Sequence, residues 1–418
     1  MPGTPASVGS DTMTAAERNR RMARISPVRR LHQEAEAALV PYGPEDHPLG
    51  AVELVETFGE LELEYAALRK HCVLLDQPHR AIIEITGKDR VAFLQSMISQ
   101  DVALQPDNTT RNGFWLNTKG RIDGDLRILR LADRVLFDLD IHAAERTIVT
   151  LGNFIIAEDV QIRSIQEETH RLAVHGPTAA PLLHAILGTP EGGLPAGAVA
   201  TFVGPNRSVT VFRDDTTGVP GYEIIVPVAE ALELYTKLVN DGREADEEAA
   251  NPSSLASRVR LRPAGWHAFN VARIEAGTPL YNIDFGTESL PAETGVIADR
   301  VSFKKGCYLG QEIVARMHAR GHPKQQLVAI KFESIRVSAE SFPVLPVTGE
   351  LLRAASDGDS IGAITSSAFS PMLGATPVAF AQVRWAHIAP GTVLYTNAEG
   401  REIKGVVQPS LTFWPTQV

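Results

Sequence analysis

Two cysteines, Cys72 and Cys307, are all that 418 residues contain. They stand far apart, which allows at most one bridge and argues against the disulfide scaffold of a small secreted protein. A four-thiolate zinc or iron–sulfur site within one chain is ruled out, since it needs four cysteines. No apolar run approaches the roughly 18–20 residues of a membrane helix. The N-terminus lacks the apolar centre of a secretory signal, so the reducing cytoplasm is the expected compartment. Positive charge is the minority sign, 40 Lys and Arg against 50 Asp and Glu, a net charge of −10. That balance speaks against broad binding of nucleic acid or anionic membrane and leaves room for a small basic pocket. Phosphate loops, dinucleotide fingerprints, H-E-x-x-H and G-x-S-x-G are all missing. His318 and His322 have ligand-like spacing, but Gly321 lies between them and no third ligand is near, so they read as a surface pair.

What is present is globular: 44% hydrophobic and 22% charged residues, in a chain long enough for about three domains. Residues 1–45 read as a flexible basic tail, with Arg18, Arg20, Arg21, Arg24, Arg29 and Arg30 against few acids. Its Arg-rich character also suits an organelle-targeting peptide. Residues 46–322 alternate strands and helices in the manner of mixed α+β domains. The helix and apolar segment of 61–76, the strand of 80–87, the helix of 88–102, two strands around the Asn117–Gly120 turn, and a strand at 134–141 come first. A second stretch of the same texture, 170–240, ends in a helix near 229–240, and 241–258 reads as a polar loop. From 323 to 418 five short strand-like runs separated by Gly and Pro predict a small β-barrel.

The richest stretch is FKKGCYLGQEIVARMHARG, residues 303–321. Leu309, Ile313, Val314 and Met317 share a helical face, so Cys307 is expected at or just before the first turn. The helix N-terminus, Lys304 and Lys305 would favour a thiolate there, with Gly306 allowing an unusual backbone angle and Glu312 opposing modestly. Spacing alone leaves a small buried apolar cysteine as the plainer alternative, and Cys72 fits that description better.

Lys305-Gly306-Cys307-Tyr308-Leu309-Gly310-Gln311-Glu312 resembles the K-G-C-[FY]-x-G-Q-E signature of the YgfZ family, folate-binding proteins that assist iron–sulfur cluster assembly or repair. ARIEAGTPLYNIDF (272–285), PAETG (291–295) and GAITSSAFSPMLG (362–374) are similar to segments of the wider superfamily, which includes the glycine-cleavage aminomethyltransferase (T-protein). The resemblance covers most of 60–410. It implies a three-domain cloverleaf around a central folate channel with a C-terminal β-barrel, tetrahydrofolate or a one-carbon derivative as ligand, and no permanently bound metal.

The resemblance also implies roles. Glu223 matches the pterin-binding glutamate, whose carboxylate accepts two donors of the pterin edge; a strand carboxylate facing water is the alternative. Arg273 could hold the anionic glutamate tail, or form a structural ion pair with Glu275 or Asp284. Tyr281 could stack on the pterin or simply fill core. Asn117 to Asp125 aligns with N-x-x-G-G-x-x-D-D, which puts Asp125 on the aspartate tied to catalysis, while Gly124 replaces the first aspartate. Phe269 stands where aminomethyltransferases carry a folate-binding arginine. The leading expectation is a tetrahydrofolate-binding accessory factor for four-iron proteins. It would act through Cys307 with Lys305 keeping the thiol ionised, and with client or scaffold proteins as partners. The alternatives are a folate-dependent one-carbon transferase using Asp125, and a folate-binding scaffold without chemistry.

Overall fold

The computed structural model describes residues 24–44, 46–204, 207–247, 261–336 and 343–413. Four β-layers organise the described residues. The first is a two-stranded ribbon, β1 (Ala38–Tyr42) with β2 (Val52–Thr57), preceded by the short helix α1 (Arg29–Glu34). The second is a five-stranded antiparallel sheet of order β5-β6-β7-β4-β8, from β4 (Arg80–Thr86), β5 (Thr109–Leu116), β6 (Ile122–Arg130), β7 (Val135–Asp140) and β8 (Gln161–Ser164). The third is a six-stranded sheet of order β10-β11-β12-β9-β3-β13, from β3 (Cys72–Asp76), β9 (Thr169–His175), β10 (Val199–Gly204), β11 (Arg207–Arg213), β12 (Gly221–Pro227) and β13 (Leu261–Pro263). The last is a closed barrel. It is built from β14 (Gln325–Phe332), β15 (Leu351–Arg353), β16 (Ser360–Ser370), β17 (Thr376–Arg384), β18 (Val393–Ala398) and β19 (Arg401–Val407). Three-residue β15 is the strand that carries no sequence pattern of its own.

Helices cover the sheets: α2 (Leu61–Lys70), α3 (Arg90–Met97), α4 (Ile141–Gly152), α5 (Ala179–Leu187), α6 (Val228–Glu247), α7 (Trp266–Ala276), α8 (Ile297–Arg300) and α9 (Gln311–Arg320). Asp140 caps α4 by accepting the His142 amide, which turns β7 directly into that helix. Strand β7 is buried at every position, VLFDLD, so its two aspartates enter the interior with the core. The apolar cluster Ile82, Leu129, Leu136, Phe212 and Ile225 joins the second and third sheets. Helix α7 packs with α2 on the barrel residues Leu327, Val378 and Phe380.

Two boundaries differ from expectation. The tail ends earlier than residue 45, because residues 24–42 are docked: the Arg24 guanidinium donates to the carbonyls of Arg80 (2.8 Å) and Thr169 (2.6 Å). Residues 1–23 lie outside the described part, so the tail expectation for them has no structural counterpart. Helix α6 runs on to Glu247 rather than ending near 240, since the stretch DGREADE has no breaker except Gly242. Among the described residues no helix is long and apolar enough to cross a membrane.

Candidate functional site: a charged cavity between the sheets

A cavity of about 520 Å³ opens where β6 and β7 of the second sheet face β9 and β12 of the third, closed by the segments 277–281 and 295–300. Volume of this order suits a small organic ligand. Its wall is a chain of paired charges. Arg80 grips Asp138 with Nε (3.2 Å) and Nη2 (3.0 Å). Arg171 spans from Asp138 (2.9 Å) to Glu223 (2.6 Å), and His175 Nε2 lies 3.0 Å from the other Glu223 oxygen. Buried charges survive only when partnered in this way. Burial works to raise the Asp138 carboxyl, but Arg171 and Arg80 overcome it and hold it below the ordinary carboxylate range. His79 carries the opposite effect: burial, then Arg80, pulls it down to about 3, so a neutral imidazole lines the cavity.

Asp125 and Glu223 both reach this cavity, from different sheets. Asp125 meets Arg300 through both oxygens, at 2.9 and 3.4 Å. Glu223 is 3% exposed and already accepts from Arg171 and His175. A carboxylate has about four acceptor positions, so two remain for a ligand. Tyr281 lies in the wall, with its hydroxyl donating to the Asp123 carbonyl at 3.3 Å and its ring edge-on to Phe285. Phe269 is a wall residue too, in contact with the rings of Trp266 and His175.

Other candidates stand elsewhere. Arg273 is fully buried and paired with Asp284, which settles the choice between Glu275 and Asp284; Glu275 instead binds Arg69 at 2.5 Å. Arg273 borders a second cavity of about 730 Å³, which shares Tyr42 and Tyr281 with the first. Asn117 holds the β5–β6 turn: its Oδ1 accepts from the amides of Lys119 and Arg121, and its Nδ2 donates to Asp123. It lines neither cavity.

The Lys305–Glu312 motif also lies outside both cavities. Helix α9 begins at Gln311, four positions after Cys307, so the cysteine stands in the loop ahead of the helix rather than at its first turn. The cause is local. Tyr308 is drawn into the core, and Gly310 takes φ +79°, pressed so close to the Asn117 carbonyl that a Cβ would lie 2.8 Å away. Lys305 is likewise spent elsewhere: its ammonium donates to the carbonyls of Gln95 (2.6 Å), Ile98 (2.6 Å) and Gln100 (3.0 Å) at the end of α3. Gln311 Oε1 accepts the Tyr308 amide. Gly306 has open space around it. Cys307 is exposed, while Cys72 is buried and pushed up to about 12 by that burial. His318 stacks on Phe303 and His322 on Trp385, so the two histidines do not converge.

Several wall residues have no signal in sequence reading. Arg171 and Arg300 are ordinary arginines until the fold sets them beside carboxylates. Asp138 and Asp140 could have been found: two acids in an otherwise apolar strand are costly to bury without a purpose.

The model of the GCVT N-terminal domain family matches residues 31–305. Among curated proteins, an aminomethyltransferase of Streptomyces avermitilis is 29% identical over 385 residues, 91% of this chain and 93% of its own length. One from Thermoanaerobacter pseudethanolicus is 29% identical over 324 residues, 76% of this chain and 79% of its length. The crystal structure of the glycine cleavage system aminomethyltransferase T from Bartonella henselae superimposes with a TM-score of 0.75 at 25% identity, covering 91% of this chain and 96% of that one.

Proposed function

Because the chain belongs to the GCVT N-terminal domain family, we propose that its charged cavity binds tetrahydrofolate and that the protein is a folate-dependent one-carbon transferase. The observation that carries this reading is the convergence of Asp125 and Glu223 on one cavity of about 520 Å³. Glu223 has spare acceptor positions for the amine and N–H of a pterin edge, and Arg171 with His175 holds its carboxylate in place. Asp125, oriented by Arg300, is the acceptor for a proton at a reacting nitrogen. Bound folate would supply the nitrogen that takes or gives the one-carbon unit. The curated relatives carry the name aminomethyltransferase, which favours transfer over other uses of the fold. Titration with tetrahydrofolate tests it: Glu223→Gln should weaken binding at least tenfold, and Asp125→Asn should keep binding but lose transfer. A wild-type protein that does not bind tetrahydrofolate overturns the reading.

A second reading places the protein in the YgfZ branch, as an accessory factor for iron–sulfur clients acting through Cys307. The exposure of Cys307 in a loop whose Lys305 and Tyr308 are hydrogen-bonded on either side favours it. Its test is a four-iron enzyme assayed in cells lacking the protein. Rescue by wild type but not by Cys307→Ala, at equal protein levels, supports it, and full rescue by Cys307→Ala removes the thiol from the account.

A further inference from the structure

The two cavities meet at Tyr42, and behind that residue lies a row of groups the reading above does not use. The Tyr42 hydroxyl donates to Asp140 Oδ2. The other oxygen, Oδ1, accepts the His142 amide at 2.8 Å and the Asn282 side chain at 3.0 Å, and lies 3.5 Å from His142 Nδ1. His142 Nε2 is 3.0 Å from the Gly50 carbonyl, which fixes the ring from its far side. The ring of His47 stands edge-on to that of His142 with centroids 4.8 Å apart, and both line the second cavity. His142 Nδ1 is buried with a carboxylate oxygen as its nearest acceptor and Nε2 faces a carbonyl, so the charge state that serves both contacts is the doubly protonated imidazolium. The backbone is shaped around this ring: Gly43 has φ +90°, and a Cβ there would lie 2.1 Å from His142 Cε1.

We propose that Tyr42, Asp140 and His142 form a proton relay at the junction of the two cavities, with the Tyr42 hydroxyl as its delivering end and His142 as its store. When a basic nitrogen in the cavity takes the Tyr42 proton, the O–H bond of Tyr42 breaks and an N–H bond forms on the ligand. His142 Nδ1 gives its proton to Asp140 Oδ1, and rotation of the carboxyl group then presents that O–H to the phenolate, which takes the proton. The net change is one proton from the imidazolium to the ligand, with tyrosine and carboxylate restored. Burial and then Asp140 hold the Tyr42 phenol protonated well above its ordinary range, so the phenolate left after delivery is a strong base that draws the replacement proton from Asp140. Against burial, Asp140 and the Gly50 carbonyl raise His142. The groups facing the relay are few. His47 faces His142, and it is itself lowered by burial and by His142. Arg80 acts on both Asp140 and Tyr42, while Arg273 and the neutral His79 ring face Tyr42.

The delivering step rests on the folate reading, whereas the coupling of the three residues does not, and the two are tested separately. In the full chain without ligand, the His142 titration is followed by NMR of labelled histidine, assigned with His142→Gln. Asp140→Asn should lower it by roughly one pH unit, and Tyr42→Phe should raise it, because Asp140 then loses its other strong donor. A His142 titration unmoved by either conservative variant overturns the relay. With folate present, one-carbon transfer in the wild type should fall as pH rises through the His142 pKa. His142→Gln should flatten that limb and lower the rate about tenfold, leaving tetrahydrofolate affinity within about twofold. An unchanged pH profile in His142→Gln also overturns it. If the wild type binds no tetrahydrofolate, the folate reading falls, and the NMR shifts alone decide the relay.

Discussion

A guanidinium shut away from bulk solvent needs a charged partner in the protein, and Arg273, 0% exposed, has one in Asp284. Its partner Asp284 also collects the Leu280 amide (2.9 Å) and the hydroxyls of Thr365 (2.8 Å) and Ser366 (2.6 Å), tying α7 to barrel strand β16. Arg273→Met should therefore cost about 3–5 kcal/mol in urea unfolding, the range for breaking a buried ion pair. Removing Asp284 as well should not restore it, because three further donors lose their acceptor. The motif around Cys307 divides in the same measurable way. Lys305→Met orphans three carbonyls and should cost about 1–3 kcal/mol, whereas Cys307→Ser should change stability by less than about 0.5 kcal/mol. Iodoacetamide should label Cys307 in the native protein and Cys72 only after unfolding, counted by mass spectrometry.

At the scale of elements, helix α1 is latched by a buried carboxylate, Asp76, beside the exposed pair of Arg29 with Glu53. Asp76 on β3 lies 2.8 Å from His32 Nε2 of α1 and 2.6 Å from His170 Nε2 of β9. Burial pushes the Asp76 carboxyl up, but His170 and His32 prevail and hold it well below the ordinary range. A carboxyl lowered in the folded state contributes stability above its unfolded pKa of about 4 and loses it as pH falls further. The hydrogen-exchange protection factors of residues 29–34, corrected for the intrinsic pH dependence, should thus fall below about pH 4, and at pH 7 in Asp76→Asn. Most strands were legible because their alternation or apolar runs are local properties: β4, the β5–β6 pair, β12 and five of the six barrel strands follow from them. The docking of α1 was not, since an Arg-rich stretch gives no hint of the carbonyls that receive Arg24. Nor was the late start of α9. Helical spacing from Leu309 is real, and only the left-handed Gly310 against the turn at Asn117 breaks it.

For the whole molecule, the cavity walls come from parts of the chain remote in sequence: Asp125 in β6, Arg171 in β9, Glu223 in β12 and Arg300 in α8. Resemblance pointed to Asp125, Glu223 and Tyr281, and the fold sets all three on one cavity. It pointed equally to Asn117, which lines neither cavity, and to Arg273, which borders the second. A ligand in this cavity would bind the folded chain and not the unfolded one. At a free concentration one hundred times its dissociation constant it should add about 2.7 kcal/mol of stability. Tetrahydrofolate should accordingly raise the melting temperature of the wild type, and Glu223→Gln should abolish most of that rise.

The same arrangement of walls reaches beyond the test tube. Proteases cut chains that open, and the open fraction falls about tenfold for each 1.4 kcal/mol of added stability when opening is fast. A protein built around its ligand in this way would persist in a cell rich in that ligand and be degraded in one that is starved of it. Its abundance would then record the supply of the small molecule, without any transcriptional control.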